Sequence, residues 1–143
     1  MPPFVLNRPQ WWPKDAPVDE DLRDFAHAYI EAMFFTNGDD GDDDEFSLSR
    51  LGAERLTKGA KLKIISDCDK FLCRMARDVI AASPGDFEQA GHDFWFTRQG
   101  HGVGFWSRDD DVWPEAARDY LDARAMGFGE TRAYRQNGWI YTD

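Results

Sequence analysis

The chain has 143 residues, 42% of them hydrophobic and 15% aromatic, with two cysteines and a formal net charge of −10. That is length for one domain with a real core, and it is too apolar for a disordered segment and too acidic for nonspecific attraction to phosphate backbones, so nucleic acid is not an expected partner. No run of eighteen apolar residues exists and the start lacks a signal-peptide pattern, so neither a membrane span nor export is expected and the reading is cytoplasmic.

The pattern divides the single domain (1–143) into a Pro/Trp-rich N-terminal strap (1–17), a helical part (18–90) and a sheet part (91–143). The strap holds five of the seven prolines together with Trp11 and Trp12. It reads as extended chain whose indoles dock on the domain. Val18, Leu22, Phe25, Ala26, Tyr29, Ile30, Met33 and Phe34 recur at helical spacing, with acidic residues in the first turns where the helix dipole favours them. His27 falls off that stripe and is expected on the surface.

Asn37 and Gly38 end this helix, and an acidic run, Asp39 to Glu45, follows. Its spacing fails the calcium-loop test, because the sixth position counted from Asp39 is Asp44 and the twelfth is Arg50. A solvated loop is the simpler reading. Charge is uneven along the chain. Residues 1–48 carry three basic and twelve acidic side chains, whereas residues 49–90 carry eight and six. The acidic N-terminal face invites a basic protein partner, or simply keeps the chain soluble.

Ser47 to Leu56 reads as a short helical turn, and Thr57 as the cap of a long second helix. Ile64, Cys68, Phe71, Leu72, Met75, Val79 and Ile80 form its apolar stripe. Lys58, Lys61, Lys63, Lys70, Arg74 and Arg77 decorate the rest and could neutralise the acidic first helix. Ser83-Pro84-Gly85 ends it. On one helix Cys68 and Cys73 lie about 140° and about 7.5 Å apart, beyond disulfide reach, which favours reduced thiols.

Gly91 to Trp106 concentrates five aromatics, two of the three histidines and four glycines in sixteen residues. Its aromatic and β-branched content, with Gln99-Gly100 as a two-residue turn, predicts a β-hairpin. In that register Phe94 faces Phe105 and Phe96 faces Val103 on the core side. On the other side Trp95 lies across from Gly104, and Thr97 across from Gly102. Either Trp95 itself or a packed helix covers these glycines, or they floor a shallow platform walled by Trp95 and Trp106 with Arg98 at its rim; on the second reading Trp95, Thr97, Arg98, Gly102, Gly104 and Trp106 are the candidate binding residues. The same register sets His92 and His101 roughly 20 Å apart, too far to share one metal. Neither a metal site nor a cofactor is therefore read from the sequence.

This stretch resembles a signature of a family of small bacteriophage and prophage proteins, GHDFW(L/F)TR(N/Q)GHG(A/V)GFW. The likeness extends in outline over most of the chain, through Asp67-Cys68, Phe71-Leu72, Phe128-Gly129-Glu130 and Gly138-Trp139-Ile140-Tyr141. It departs after Trp106, where Ser107 to Asp111 replaces a glycine-rich link. The resemblance implies a phage origin and supplies no chemistry.

Pro114 opens a further helix through Ala116, Ala117, Tyr120, Leu121 and Arg124, with Gly127 as its C-terminal cap. Thr131 to Tyr134 and Trp139 to Tyr141 flank Asn137-Gly138, a strong hairpin signal. The expected fold is α+β: two N-terminal helices, then hairpin–helix–hairpin, giving a mostly antiparallel four-stranded sheet with helices on one face. The expected function is a phage-type accessory protein, a non-catalytic binding module modulating host machinery or host defence. The alternative is a small metal-dependent hydrolase or nuclease using His92, Asp93 and His101 beside Arg98.

Overall fold

A computed structural model of the chain describes residues 12–14, 16, 19–38, 55–100 and 102–142. Trp11, the acidic run Asp39 to Glu45, most of the Ser47 to Leu56 segment and His101 lie outside the described residues.

Helix α1, Glu20–Gly38, starts where the Asp19 carboxylate accepts the Leu22 N–H at 3.1 Å. It buries Leu22, Phe25, Ala26, Ala28, Tyr29, Ile30, Ala32, Met33 and Phe34. So much of its surface is covered that His27, expected on the surface, is only 6% exposed. Trp12 and Ala16 are half-buried against this core.

Helix α2, Lys58–Phe71, is capped by Thr57, whose hydroxyl accepts the Ala60 N–H at 3.0 Å. The single long helix expected here is broken. Leu72 leaves helical geometry at ψ 54°, Cys73 is extended, and its thiol accepts the Ala76 N–H to start helix α3, Arg74–Ala81. Arg77 on the new helix donates to the Leu72 carbonyl at 2.9 Å, so the break leaves that acceptor satisfied. Redirecting the chain in this way buries Ala76 and Ile80 on α3.

The central hairpin is overturned. Helix α4, Phe87–Arg98, runs through the first half of the signature stretch. Its N-cap is Asp86, which accepts the Gln89 N–H at 2.8 Å. Gly100, at φ +64°, takes the left-handed conformation that terminates helices; its N–H donates to Thr97 O and that of Gln99 to Trp95 O. The glycine that suggested a hairpin turn is a helix stop. A short 3-10 turn, Phe105–Ser107, brings the chain back, and helix α5, Glu115–Met126, follows from Pro114 to Gly127 as the sequence predicts.

Strands β1, Ala133–Gln136, and β2, Trp139–Thr142, form the C-terminal hairpin, with Gln136 paired to Trp139. Asn137 and Gly138 both have positive φ, 54° and 79°, as a tight two-residue turn requires. The Thr57 N–H donates to Ile140 O at 3.0 Å, tying β2 to the start of α2. Among the described residues this two-stranded antiparallel sheet replaces the expected four-stranded one, and the domain is mostly helical. The cause is the loss of the first hairpin to α4.

The core is organised by α1 lying on α4. A methyl group built on Gly91 would sit 2.1 Å from the Phe25 carbonyl oxygen, so only glycine permits the crossing at this separation. Phe71 stacks on Phe94 at 4.4 Å, on Phe25 at 5.3 Å and on Phe105 at 5.9 Å, joining α1, α2, α4 and the 3-10 turn through one aromatic column. Among the described residues no helix is long and apolar enough to cross a membrane.

Candidate functional site

The signature residues do not make the glycine-floored platform. With the strands gone, the register that set Trp95 across from Gly104 and Thr97 across from Gly102 no longer exists. Trp95 points inward from α4, 2% exposed, with its ring edge-on to Tyr29 and its indole N–H donating to Thr36 Oγ1 at 2.9 Å. Thr97 is buried, and its hydroxyl accepts the Phe105 N–H at 3.0 Å, anchoring the returning chain. Gly104 is the residue that permits this return, because a methyl group there would meet Thr97 Oγ1 at 2.4 Å. Gly102 is exposed. Trp106 is 55% exposed, and its backbone meets the Asp122 carboxylate on α5. Burial, against that contact, raises the Asp122 pKa above the usual carboxylate value.

Arg98 belongs to the interior. Its Nε donates to Gly129 O at 2.8 Å, and Nη1 donates both to Tyr29 Oη at 3.1 Å and to Asp67 Oδ2 at 3.0 Å. Its guanidinium also lies over the rings of Phe94 and Phe128, at 5.4 and 5.7 Å. Burial opposes the charge, but Tyr29 and Asp67 outweigh it and shift the Arg98 pKa upward. Burial in turn raises the Tyr29 hydroxyl above its ordinary value.

Asp93 is fully buried and closed by its partners. Arg108 donates through Nε and Nη2 at 3.0 and 2.7 Å, and the Trp113 indole N–H and Gln89 amide donate at 2.9 and 3.2 Å. His92, one residue earlier, faces the other way, with Nε2 3.5 Å from Glu31 on α1. Neighbouring positions on a helix diverge by about 100°, so His92 and Asp93 do not act on a common point. Among the described residues no three His, Cys, Asp or Glu side chains converge to hold a metal ion.

The structure adds a site that the sequence reading passed over. A cleft of about 730 Å³ lies between α2 and α5. Lys63, Asp67 and Lys70 line it from one face of α2, at helical spacing, and Tyr120, Ala123 and Arg124 from one face of α5, with the cap residue Gly127. Arg98 and Phe128 complete the lining. Lys63 donates to Asp67 Oδ1 at 3.0 Å. Arg124 donates through Nε to Phe71 O at 2.8 Å and through Nη2 to Lys70 O, closing the end of α2. The basic residues read as neutralising the acidic first helix divide differently: Arg77 reaches Asp19, just before that helix, at 2.8 Å, while Lys63 and Lys70 line the cleft. The repeat of charge at 63, 67 and 70 was the signal available.

Cys73 borders this region through Tyr120, whose hydroxyl lies 3.5 Å from the thiol sulfur. Burial raises the Cys73 pKa, but the Tyr120 hydroxyl, the Ala76 N–H and the Arg124 charge outweigh it, so the thiol sits below its ordinary value. Cys68 is fully buried, which drives its thiol well above that value, and both cysteines are unbridged. No protein-family model, no curated protein and no solved structure matches the chain.

Proposed function

We propose that the chain is a non-catalytic binding module, a phage-type accessory protein that engages host or phage machinery, host defence included, with Trp106 as the anchor of the contact. The observation that carries this reading is the exposure of Trp106. The other four aromatic side chains of the signature stretch, Phe94, Trp95, Phe96 and Phe105, are at most 6% exposed, whereas Trp106 is 55% exposed. Those four have a folding role, whereas Trp106 presents its indole to solvent, and Gly102 and Val103, shortly before it in the chain, are exposed too. Tryptophan is the residue type most enriched among energetic anchors of protein interfaces.

The partner of this reading is a protein. The acidic excess in residues 1–48 favours a basic one and speeds its encounter at low salt. The test is a tagged capture from host lysate with wild type and Trp106→Ala, at low and high salt, with helical content checked by circular dichroism. One dominant partner, lost in the variant at both salt concentrations, supports the reading. Retention of that partner by the folded variant refutes the role of Trp106.

A further inference from the structure

We propose that the cleft between α2 and α5 is a binding site for a small phosphate monoester. It stands apart from the Trp106 contact. Asp122, which meets the Trp106 backbone, lies about 150° round α5 from the face that lines the cleft.

The first argument is charge. Lys63, Lys70, Arg98 and Arg124 line the cleft, against the single carboxylate of Asp67. The carbonyl end of α2 adds about half a negative charge, so a surplus of about +2.5 remains. This surplus sits in a chain whose net charge is −10. Asp67 is shared by Lys63 and Arg98. Among the described residues neither Lys70 nor Arg124 has a carboxylate within ion-pairing distance. Arg124 donates Nε and Nη2 to the carbonyls that end α2, its Nη1 has no hydrogen-bond acceptor among the described residues, and the Lys70 side chain is exposed. A guanidinium and an ammonium lining one cleft suit a doubly charged tetrahedral group.

The second argument is shape. The volume lies within the range of small-molecule sites, roughly 300–1,000 Å³. Ala123 and Gly127 present little side chain on the α5 wall, which makes the space, and Phe128 and Tyr120 offer ring surface for the uncharged body of the ligand. Arg98 is held by four protein partners and supplies a fixed positive floor.

Isothermal titration of the full chain with adenosine monophosphate, adenosine, inorganic phosphate and citrate tests this. The expected result is one site for adenosine monophosphate, weaker binding of phosphate, and none of adenosine. Lys70→Glu should weaken binding at least tenfold with an unchanged circular dichroism spectrum, and Lys70→Arg should restore it. Lys70 is chosen because it is exposed, whereas Arg124 closes the end of α2. No binding of adenosine monophosphate at millimolar concentration overturns the proposal, as does equal binding of adenosine or an unchanged affinity in Lys70→Glu. Citrate binding as tightly as the monophosphate overturns the assignment to phosphate.

Discussion

Arg98 on α4 and Asp67 on α2 meet at 3.0 Å with their side chains only 4% and 7% exposed. The pair lies between the core and the cleft and ties α4 to α2. Removing one partner leaves the other charge buried, which costs about 3–5 kcal/mol. Asp67→Asn is therefore expected to lower the urea-unfolding free energy by about 3 kcal/mol, less whatever Tyr29 recovers as a remaining acceptor. The double variant Asp67→Leu/Arg98→Met should lose less than the two single variants combined, because it buries no lone charge.

Gly91→Ala places a methyl group 2.1 Å from a backbone carbonyl, an atom with little freedom to move aside. The crossing of α1 and α4 must open. A loss toward the upper end of about 1–3 kcal/mol is expected, read as a lower urea midpoint with an unchanged slope. Gly102→Ala, at an exposed position where an added methyl group has open space, should leave the midpoint within error.

Asp19 titrates with consequences for stability. Burial raises its pKa, but the Leu22 N–H and the Arg77 guanidinium prevail, so the folded value lies below 3.8. A depressed carboxylate contributes stability above its unfolded pKa and loses it as pH falls through the folded one. Wild type should therefore exceed Asp19→Asn in stability at pH 5, and the difference should shrink steadily below pH 3.8. Urea midpoints of both proteins across that interval measure it.

The two thiols should separate under alkylation. Cys73 is half-exposed with a lowered pKa, whereas Cys68 is buried with a raised one. In native protein iodoacetamide should modify Cys73 alone, with a pH midpoint below the ordinary thiol value of 9.0. Tyr120→Phe removes the hydroxyl hydrogen bond and should move that midpoint upward. Equal rates at both cysteines, seen by mass spectrometry, would contradict the placement.

Local signals with one reading carried through to the structure. Thr57 caps a helix, Pro114 and Gly127 bracket another, and Asn137-Gly138 turns a hairpin. The signature stretch misled because α4 is buried on every side from Asp93 to Arg98. A helix covered all round shows no amphipathic period, and its aromatic content then imitates a strand. The counter-signal was present: Asp86 followed three residues later by Gln89 is a helix-start pattern, and Asp86 does cap α4. Of the proposed binding residues, Trp106 and Gly102 are exposed and Trp95, Thr97 and Arg98 are buried. Spacing alone gave no means of separating a Trp that fills a core from one that faces water. The charge repeat at 63, 67 and 70 marks only the α2 wall of the cleft; that α5 meets it in space is encoded in no local pattern.

The close approach of α1 and α4 that Gly91 permits at the Phe25 carbonyl also bears on how the chain finds its fold. The helices form quickly from local contacts, but α1 must settle on α4 across the intervening α2 and α3, and closing that span costs chain entropy before any core is gained. Refolding should therefore be slower than in bundles whose neighbouring helices pack in sequence order. Docking at Gly91 is then a rate-setting event, and in stopped-flow refolding Gly91→Ala should slow the folding limb more than it speeds the unfolding limb.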